Sequence, residues 1–149
     1  MQIPAEVLSF FKKEKSIAVA SIDSRGKIHC SIKGLIEVKP SGEFYILDLY
    51  KATTYQNIRN NPNITIFAVD QVRYKGYALQ GVAEVVNIKD SDKDIHEKWN
   101  KNVAERIAQR LVKNVQKGAG VYSHPESAFG KPLYLFLFRT EKIIDLANT

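Results

Sequence analysis

A short polar segment at residues 48–54 contains the residue types that bind an anion. Lys51 supplies a positive charge, Thr53 and Thr54 supply hydroxyl groups, and either threonine is a plausible N-cap for a following helix. The first N–H groups of a helix lack partners within the helix, and the helix dipole is positive at that end. Charge, hydroxyls and free donors therefore meet within a few residues, which is typical of an anion site. A plain helix cap explains the two threonines equally well.

A second group of polar residues interrupts the strand predicted over Lys27 to Val38. Ser31, Lys33 and Gly34 lie near the middle of this strand, where a strand buried on one face would be mostly apolar at alternate positions. The next strand ends at Asp48, immediately before the polar segment. These residues indicate either a binding site shared by two strands and a helix, or a solvated face of the sheet.

The hydrophobic pattern around these segments predicts a meander of antiparallel strands with helices in the connections. Gly76 and Gly81 within the long fifth strand indicate a bend, a bulge or a close approach of another group to the backbone. A small closed or split barrel is the natural way for such a meander to hide its edges. We predict helices over 3–14 and from 53 to 60, and strands over 16–22, 27–38, 43–49, 63–69, 75–89 and 133–139. A seventh strand over 142–146 is left open.

The segment between the fifth and sixth strands has a helical period. Apolar residues recur there every four positions and predict one or two amphipathic helices over about 91–118, packed on the barrel or on a partner subunit. The stripe consists of Ile95, Trp99, Val103, Ile107, Leu111 and Val115. A long loop follows over 118–132, and loops of this length are uncommon unless they are functional or disordered.

Several kinds of site lack their sequence patterns. No pair among the three histidines and Cys30 has the spacing of a metal site, so we predict no metal. The segment 75–78 copies the start of a ribonucleoprotein motif, but Leu79 and Gln80 replace its expected Phe and Val, and we predict no nucleic-acid partner. The sequence contains no nucleophile elbow, no GK[ST] phosphate loop and no GxGxxG.

Composition is that of one ordinary globular domain spanning 1–149. Hydrophobic residues make up 44% and charged residues 26%, and the net charge of +6 is spread along the chain without a basic run. The longest apolar run has six residues, whereas a membrane-spanning helix needs about 20, so we predict no membrane association. A single cysteine and the lack of a signal-peptide pattern predict a cytoplasmic protein.

The order and spacing of these segments resemble the pyridoxamine 5'-phosphate oxidase-like FMN-binding split-barrel superfamily. The resemblance covers roughly residues 5–90 and 132–146, and no single motif carries it alone. Its main features are the hairpin Ile17–Val38, the strand Glu43–Leu49, the segment Asn57-Ile58-Arg59-Asn60-Asn61-Pro62 that closes a helix, the fifth-strand segment Leu79–Val85, and the closing segment Leu133–Asp145.

The resemblance implies a mainly β fold: a six-stranded antiparallel split barrel that forms a homodimer, with FMN at the subunit interface. The phosphate contacts would come from Lys51, Thr53 and Thr54, although family members often have Arg or Lys where this chain has the two threonines. A cation such as Lys33 beside the flavin ring would stabilise the reduced anionic form. The ring would be held by Ser31, Ile32, Lys33, Leu47 and Asp48, with Gln80 as a further candidate.

The C-terminal region departs from pyridoxamine phosphate oxidases proper, whose substrate-binding arginine and tryptophan residues are absent after residue 141. We therefore do not assign vitamin B6 oxidation. The resemblance implies an FMN-dependent oxidoreductase acting on an unidentified small redox substrate. The alternatives are a flavin-binding or stress protein without turnover, and the same fold with deazaflavin or haem. The glycines of the 118–132 loop, with Tyr122, His124 and Phe129, predict a lid over the flavin cleft, and the alternative is a surface loop that only connects its neighbours.

Overall fold

The computed structural model of the chain describes residues 1–116 and 133–148, which form six strands and three α-helices. The loop predicted over 118–132, and its role as a lid, lie outside the described residues. The strands are β1 (Ser16–Ile22), β2 (Ile28–Val38), β3 (Glu43–Leu47), β4 (Asn63–Asp70), β5 (Lys75–Asn87) and β6 (Tyr134–Asp145). The helices are α1 (Ala5–Lys13), α2 (Thr53–Asn60) and α3 (Lys93–Gln116), with a 3₁₀ turn at Ile88–Asp90 before α3.

The six strands form a closed barrel in the order β1-β2-β3-β6-β5-β4. Neighbouring strands are antiparallel, and pairing of β1 with β4 closes the barrel, so that each strand has a neighbour on both sides. The predicted mainly β architecture, a six-stranded antiparallel barrel with peripheral helices and a helical insertion, is thereby confirmed.

The prediction of a separate seventh strand is wrong, because residues 142–145 belong to β6, which ends at Asp145. This strand pairs with β5 from Tyr134 to Asp145, and its register shifts between Gln80 and Gly81 of β5. Glu141 is the extra residue on β6 at this bulge, since its two neighbours are the ones paired with β5. The polar residues of the bulge interrupt the apolar pattern of β6 without interrupting the strand.

Gly81 permits a close approach of β5 and β6 at the bulge. A Cβ atom at this position would collide with the backbone carbonyl oxygen of Arg139. Either residue could move only by separating two strands that are hydrogen-bonded on both sides of the bulge. This is the close approach of a neighbouring backbone that a glycine within a strand indicates.

Buried apolar side chains from all six strands fill the barrel. Val7 and Phe11 of α1 and Ile58 of α2 join this core, so both short helices are packed on the barrel through their apolar sides. Phe11 meets Phe44 of β3 edge to face, with ring centroids 5.1 Å apart. The core therefore fixes where α2, and with it the polar segment before α2, lies on the barrel.

The helical insertion is one continuous helix, α3, that packs on the outside of the barrel. Ile95, Trp99 and Val103 are buried against the outer faces of β3 and β6, in a cluster that includes Leu47 and Leu135. Further along the same stripe Ile107 is only partly buried, and Val112, which lies beside the stripe, is 55% exposed. Within residues 1–116 and 133–148, none of the helices has the length and apolar character required to cross a membrane.

Candidate functional site

Two side-chain hydrogen bonds hold α2 against the β1–β2 hairpin. Thr54 Oγ1, in the first turn of α2, lies 2.8 Å from Ser31 Oγ on β2. One turn later, Asn57 Nδ2 donates to Ser21 Oγ on β1 at 3.0 Å, and both of these side chains are buried. The structure thus brings Ser31 and Thr54 together, and it places the N-terminus of α2 beside the polar middle of β2.

A buried ion pair lies at the end of β3. Lys33 Nζ donates to Asp48 Oδ1 at 2.8 Å, with Lys33 8% and Asp48 1% exposed. The hydroxyl of Tyr134, the first residue of β6, donates to Asp48 Oδ2 at 2.5 Å. Burial raises the pKa of Tyr134 far above its ordinary value, and the hydrogen bond to Asp48 and the negative charge of Asp48 raise it further. The hydroxyl therefore keeps its proton at neutral pH. Both oxygens of Asp48 therefore have donors.

Two cations flank one aromatic ring at the start of α2. Lys51 Nζ lies 5.0 Å from the centroid of the Tyr55 ring, and Arg59 Cζ lies 5.9 Å from the same centroid. Arg59 Nη1 also donates to Tyr55 Oη at 3.2 Å. The backbone of Lys51 is left-handed, with φ of 50°, which non-glycine residues seldom adopt. Such local strain persists where surrounding contacts hold it.

The N-terminus of α2 offers donors to an anion. Ala52 precedes the helix, no side chain of the described residues caps it, and its first turn contains no acidic residue. The Thr53 hydroxyl is exposed beside it. The first N–H groups of α2, the exposed Thr53 hydroxyl and the exposed Lys51 are therefore donors for an anion within one short segment, which we call the anion cradle (Lys51, Thr53 and the backbone of 53–55).

The remaining predicted site residues lie on other faces of the barrel wall. The Leu47 side chain is buried under α3, so only its backbone is available to a ligand near β3. Ile32 is 68% exposed on the outside of β2. Gln80 is exposed on β5, three strands from β2 along the pairing Gln80–Thr65–Ala20–Cys30. Within one chain, Gln80 is therefore separate from the anion cradle.

Three residues of this region were not predicted from the sequence. Tyr134 belongs to the longest apolar run and reads as a core residue, although it brings a hydroxyl into that run. Tyr55 and Arg59 belong to the motif that carries the family resemblance, but nothing in the motif assigns them a ligand. A period of four residues on a short helix puts both on the face of α2 that Lys51 approaches, and that signal could have found them.

No group of three His, Cys, Asp or Glu side chains that could hold a metal ion occurs in the part of the chain that the structure describes. His124 lies outside that part.

Fold and site together define a class: small antiparallel β-barrels with an anion cradle at a helix that follows the third strand. The family model described as pyridoxamine 5'-phosphate oxidase matches residues 3–121, and the chain belongs to this family. No curated protein sequence matches the chain significantly.

Solved structures share the fold at low sequence identity. HupZ of Group A Streptococcus is 18% identical with a TM-score of 0.69, covering 98% of this chain and 96% of that one. HutZ of Vibrio cholerae, described as a haem storage protein, is 18% identical with a TM-score of 0.56, covering 97% and 94%. A relative of general stress protein 26 from Clostridium acetobutylicum is 15% identical with a TM-score of 0.57, covering 95% and 91%.

Proposed function

We propose that the protein binds FMN and acts as a flavin-dependent oxidoreductase on a small redox substrate in the cytoplasm. The observation that carries the proposal is the anion cradle: an uncapped helix N-terminus beside an exposed lysine and a threonine hydroxyl. Family membership supports a flavin in this position, because the chain matches the pyridoxamine 5'-phosphate oxidase model over residues 3–121.

The chemistry of the cradle fits the phosphate of FMN. A phosphate monoester is dianionic near neutral pH, and the cradle supplies N–H donors, a hydroxyl and a cation without an opposing carboxylate in the first turn of α2. Lys51 replaces the charge that relatives often carry at the positions of Thr53 and Thr54. Thr54 contributes less directly, because its hydroxyl is buried and shared with Ser31.

The flavin ring would lie along β2 and β3, against Ser31, Lys33, Asp48 and the backbone of Ile32 and Leu47. Bound FMN supplies the electron-transfer chemistry, and the protein binds, orients and shields it. Because Asp48 neutralises Lys33, this pair presents a dipole beside the ring and not a net positive charge. Lys33 thus orients the ring more than it stabilises an anionic flavin.

A homodimer would complete the site. The outer face of β1, β2 and β4 carries a continuous apolar surface in which Ile32 pairs with Ala18 and Ala18 with Phe67, and it has no covering element among the residues described. Ile28 and Ile32 on this face are 73% and 68% exposed, which is typical of an interaction surface. Packing of two copies through this face would bring Gln80, on the adjoining strand, to the partner's cleft.

If the dimer forms through this face, a charge introduced on the face should dissociate it. We expect twice the chain mass in light scattering at micromolar protein, and a monomer for Ile32→Glu, since a buried unpaired carboxylate is costly. Val72→Glu is the matched control, because Val72 is a 96% exposed aliphatic residue in the β4–β5 turn. A wild-type monomer, or equal dissociation of both variants, would contradict this surface.

Haem is the alternative cofactor, and one comparison favours it. HutZ, which shares the fold, is described as a haem storage protein. Storage of haem, or flavin binding without turnover, would need the same cleft with different contacts. The absorption spectrum and mass of the molecule that copurifies with the protein distinguish flavin, deazaflavin and haem, and turnover with NADH or NADPH distinguishes an enzyme from a binder.

Removal of the Lys51 charge is the direct test of the anion cradle. Lys51→Met keeps the length and apolar stem of the side chain, and we expect roughly ten- to a hundredfold weaker FMN binding, because a charge-assisted contact is lost. Lys75→Met, at an exposed lysine at the start of β5, is the control and should leave affinity within about twofold. Fluorescence titration of FMN measures both, and equal affinities in the two variants would refute the cradle as the phosphate site.

A further inference from the structure

Tyr55 lies in the first turn of α2, where its aromatic ring is fixed from several sides. The ring meets the Tyr134 ring edge to face, with centroids 5.1 Å apart, and it packs against the barrel core. Its hydroxyl accepts a hydrogen bond of 3.2 Å from Arg59 Nη1, one turn further along α2. The helix that carries the ring is attached to β2 and β1 through Thr54 and Asn57. The ring is therefore a rigid surface at the N-terminal turn of α2.

The Lys51 side chain extends over this ring. Its Nζ lies 5.0 Å from the ring centroid, and the negative face of an aromatic ring attracts an ammonium group in that position. Tyr55 is the third residue of α2, so a lysine held over its ring is kept at the turn that carries the free N–H groups of 53–55. The lysine is otherwise exposed, and its long stem has many conformations in solution.

An aromatic ring holds a cation without neutralising it, which a carboxylate does not. Lys33 is held by Asp48, and this buried pair has no net charge. Within the part of the chain that the structure describes, neither Lys51 nor Arg59 has a carboxylate at ion-pair distance. Lys51 therefore keeps its full charge over the Tyr55 ring. Arg59 adds a second positive charge, with Cζ 5.9 Å from the same ring centroid.

We propose that Tyr55 is the positioning residue of the anion cradle: its ring holds the Lys51 ammonium at the N-terminal turn of α2 without neutralising it. This inference rests on the proposed function, in which the anion is the phosphate of FMN. A lysine loses side-chain freedom when it binds an anion, and a ring that already restricts the side chain lowers that cost. Tyr55 therefore acts on the anion through Lys51.

The contact between the ring and the lysine can be measured in the protein without cofactor. Lys51 Nζ lies over the ring, so the ring current should shift the protons of the adjoining Cε upfield in NMR spectra. We expect this shift to disappear in Tyr55→Leu. It should remain in Tyr55→Phe, which keeps the ring and loses only the hydroxyl that Arg59 contacts.

FMN affinity measures whether this contact matters for binding. It should fall about fivefold in Tyr55→Leu, which corresponds to a partly exposed cation–π contact, and stay within about twofold of wild type in Tyr55→Phe. When Lys51→Met is already present, Tyr55→Leu should weaken binding by less than about 1.5-fold, because the ring has no ammonium from that residue to hold. Phe10→Leu is the matched control, since Phe10 is also a partly buried aromatic residue on a short helix packed against the core, and it should change neither the Lys51 shift nor the affinity.

Each outcome supports or overturns the inference. A wild-type protein without the upfield shift, or a shift that survives Tyr55→Leu, overturns it whether or not FMN binds. An affinity loss in Tyr55→Phe or Phe10→Leu as large as in Tyr55→Leu, or losses that add in the double variant, also overturns it, because the effect would then not depend on a ring that holds Lys51. If the wild-type protein does not bind FMN, the proposed function fails, and the Lys51 shift still decides whether the ring holds the lysine.

Discussion

Asp48→Ala is expected to lower the free energy of unfolding by about 3–5 kcal/mol. The substitution leaves the Lys33 ammonium buried without its counter-charge, and it removes the acceptor of the Tyr134 hydroxyl. Breaking one side of a buried pair is costly because the remaining charge has no compensation, whereas the intact pair contributes little net stability. Urea denaturation followed by circular dichroism measures the loss.

Two controls distinguish the effect of breaking the buried ion pair from the effect of removing a charge elsewhere. Lys33→Met combined with Asp48→Leu removes both charges and should recover most of the loss, since a buried pair can often be replaced by apolar residues. Glu84→Ala breaks an ion pair with Arg139 in which both side chains are about half exposed, and it should cost less than ~1 kcal/mol. The interpretation fails if the double variant is as unstable as Asp48→Ala.

Trp99→Ala should also cost about 3–5 kcal/mol, because it leaves a large cavity between α3 and the barrel. Trp99 is 2% exposed and is the largest side chain of the outer cluster, between Ile95 and Val103 on the helix. Its indole N–H also donates to the Tyr134 carbonyl oxygen. The variant should unfold at lower urea concentration and show faster amide exchange along the first half of α3.

Val112→Ala is the matched control on the same helix. Val112 is 55% exposed, so its truncation should change the free energy of unfolding by less than ~0.5 kcal/mol. If Trp99→Ala and Val112→Ala lowered the free energy of unfolding equally, the first half of α3 would not be the part that attaches the helix to the barrel. A loss under ~1 kcal/mol in Trp99→Ala would mean that the helix contributes little to the stability of the barrel.

The fold was largely predictable because strand and helix periods differ clearly in this sequence. The exception is β6, where the polar bulge around Glu141 resembles a turn and only the partner strand shows otherwise. Lys33 and Asp48 were each identified as site residues, but their pairing depends on the register in which Gly34 lies opposite Leu47. Register is set by packing over the whole sheet and not by the two residues themselves.

Tyr134 could not be predicted for a related reason. It is 86 positions from Asp48 in the sequence, and only closure of the barrel brings the two side chains together. Its type and its place in an apolar run are those of an ordinary core tyrosine. The cradle residues Lys51, Thr53 and Thr54 were predictable because one continuous segment contains them and a helix terminus organises that segment.

The position of β6 between β3 and β5 has a consequence for the route by which the chain folds. Glu43 on β3 pairs with Arg139 on β6, almost a hundred residues later in the sequence. Strand β3 therefore cannot complete its pairing until β6 has been synthesised. Contacts of such long range slow folding, since loop closure precedes the gain from pairing. A nascent chain that ends before β6 leaves the edges of β3 and β5 open, and these apolar edges are the places where such a chain would aggregate or recruit a chaperone.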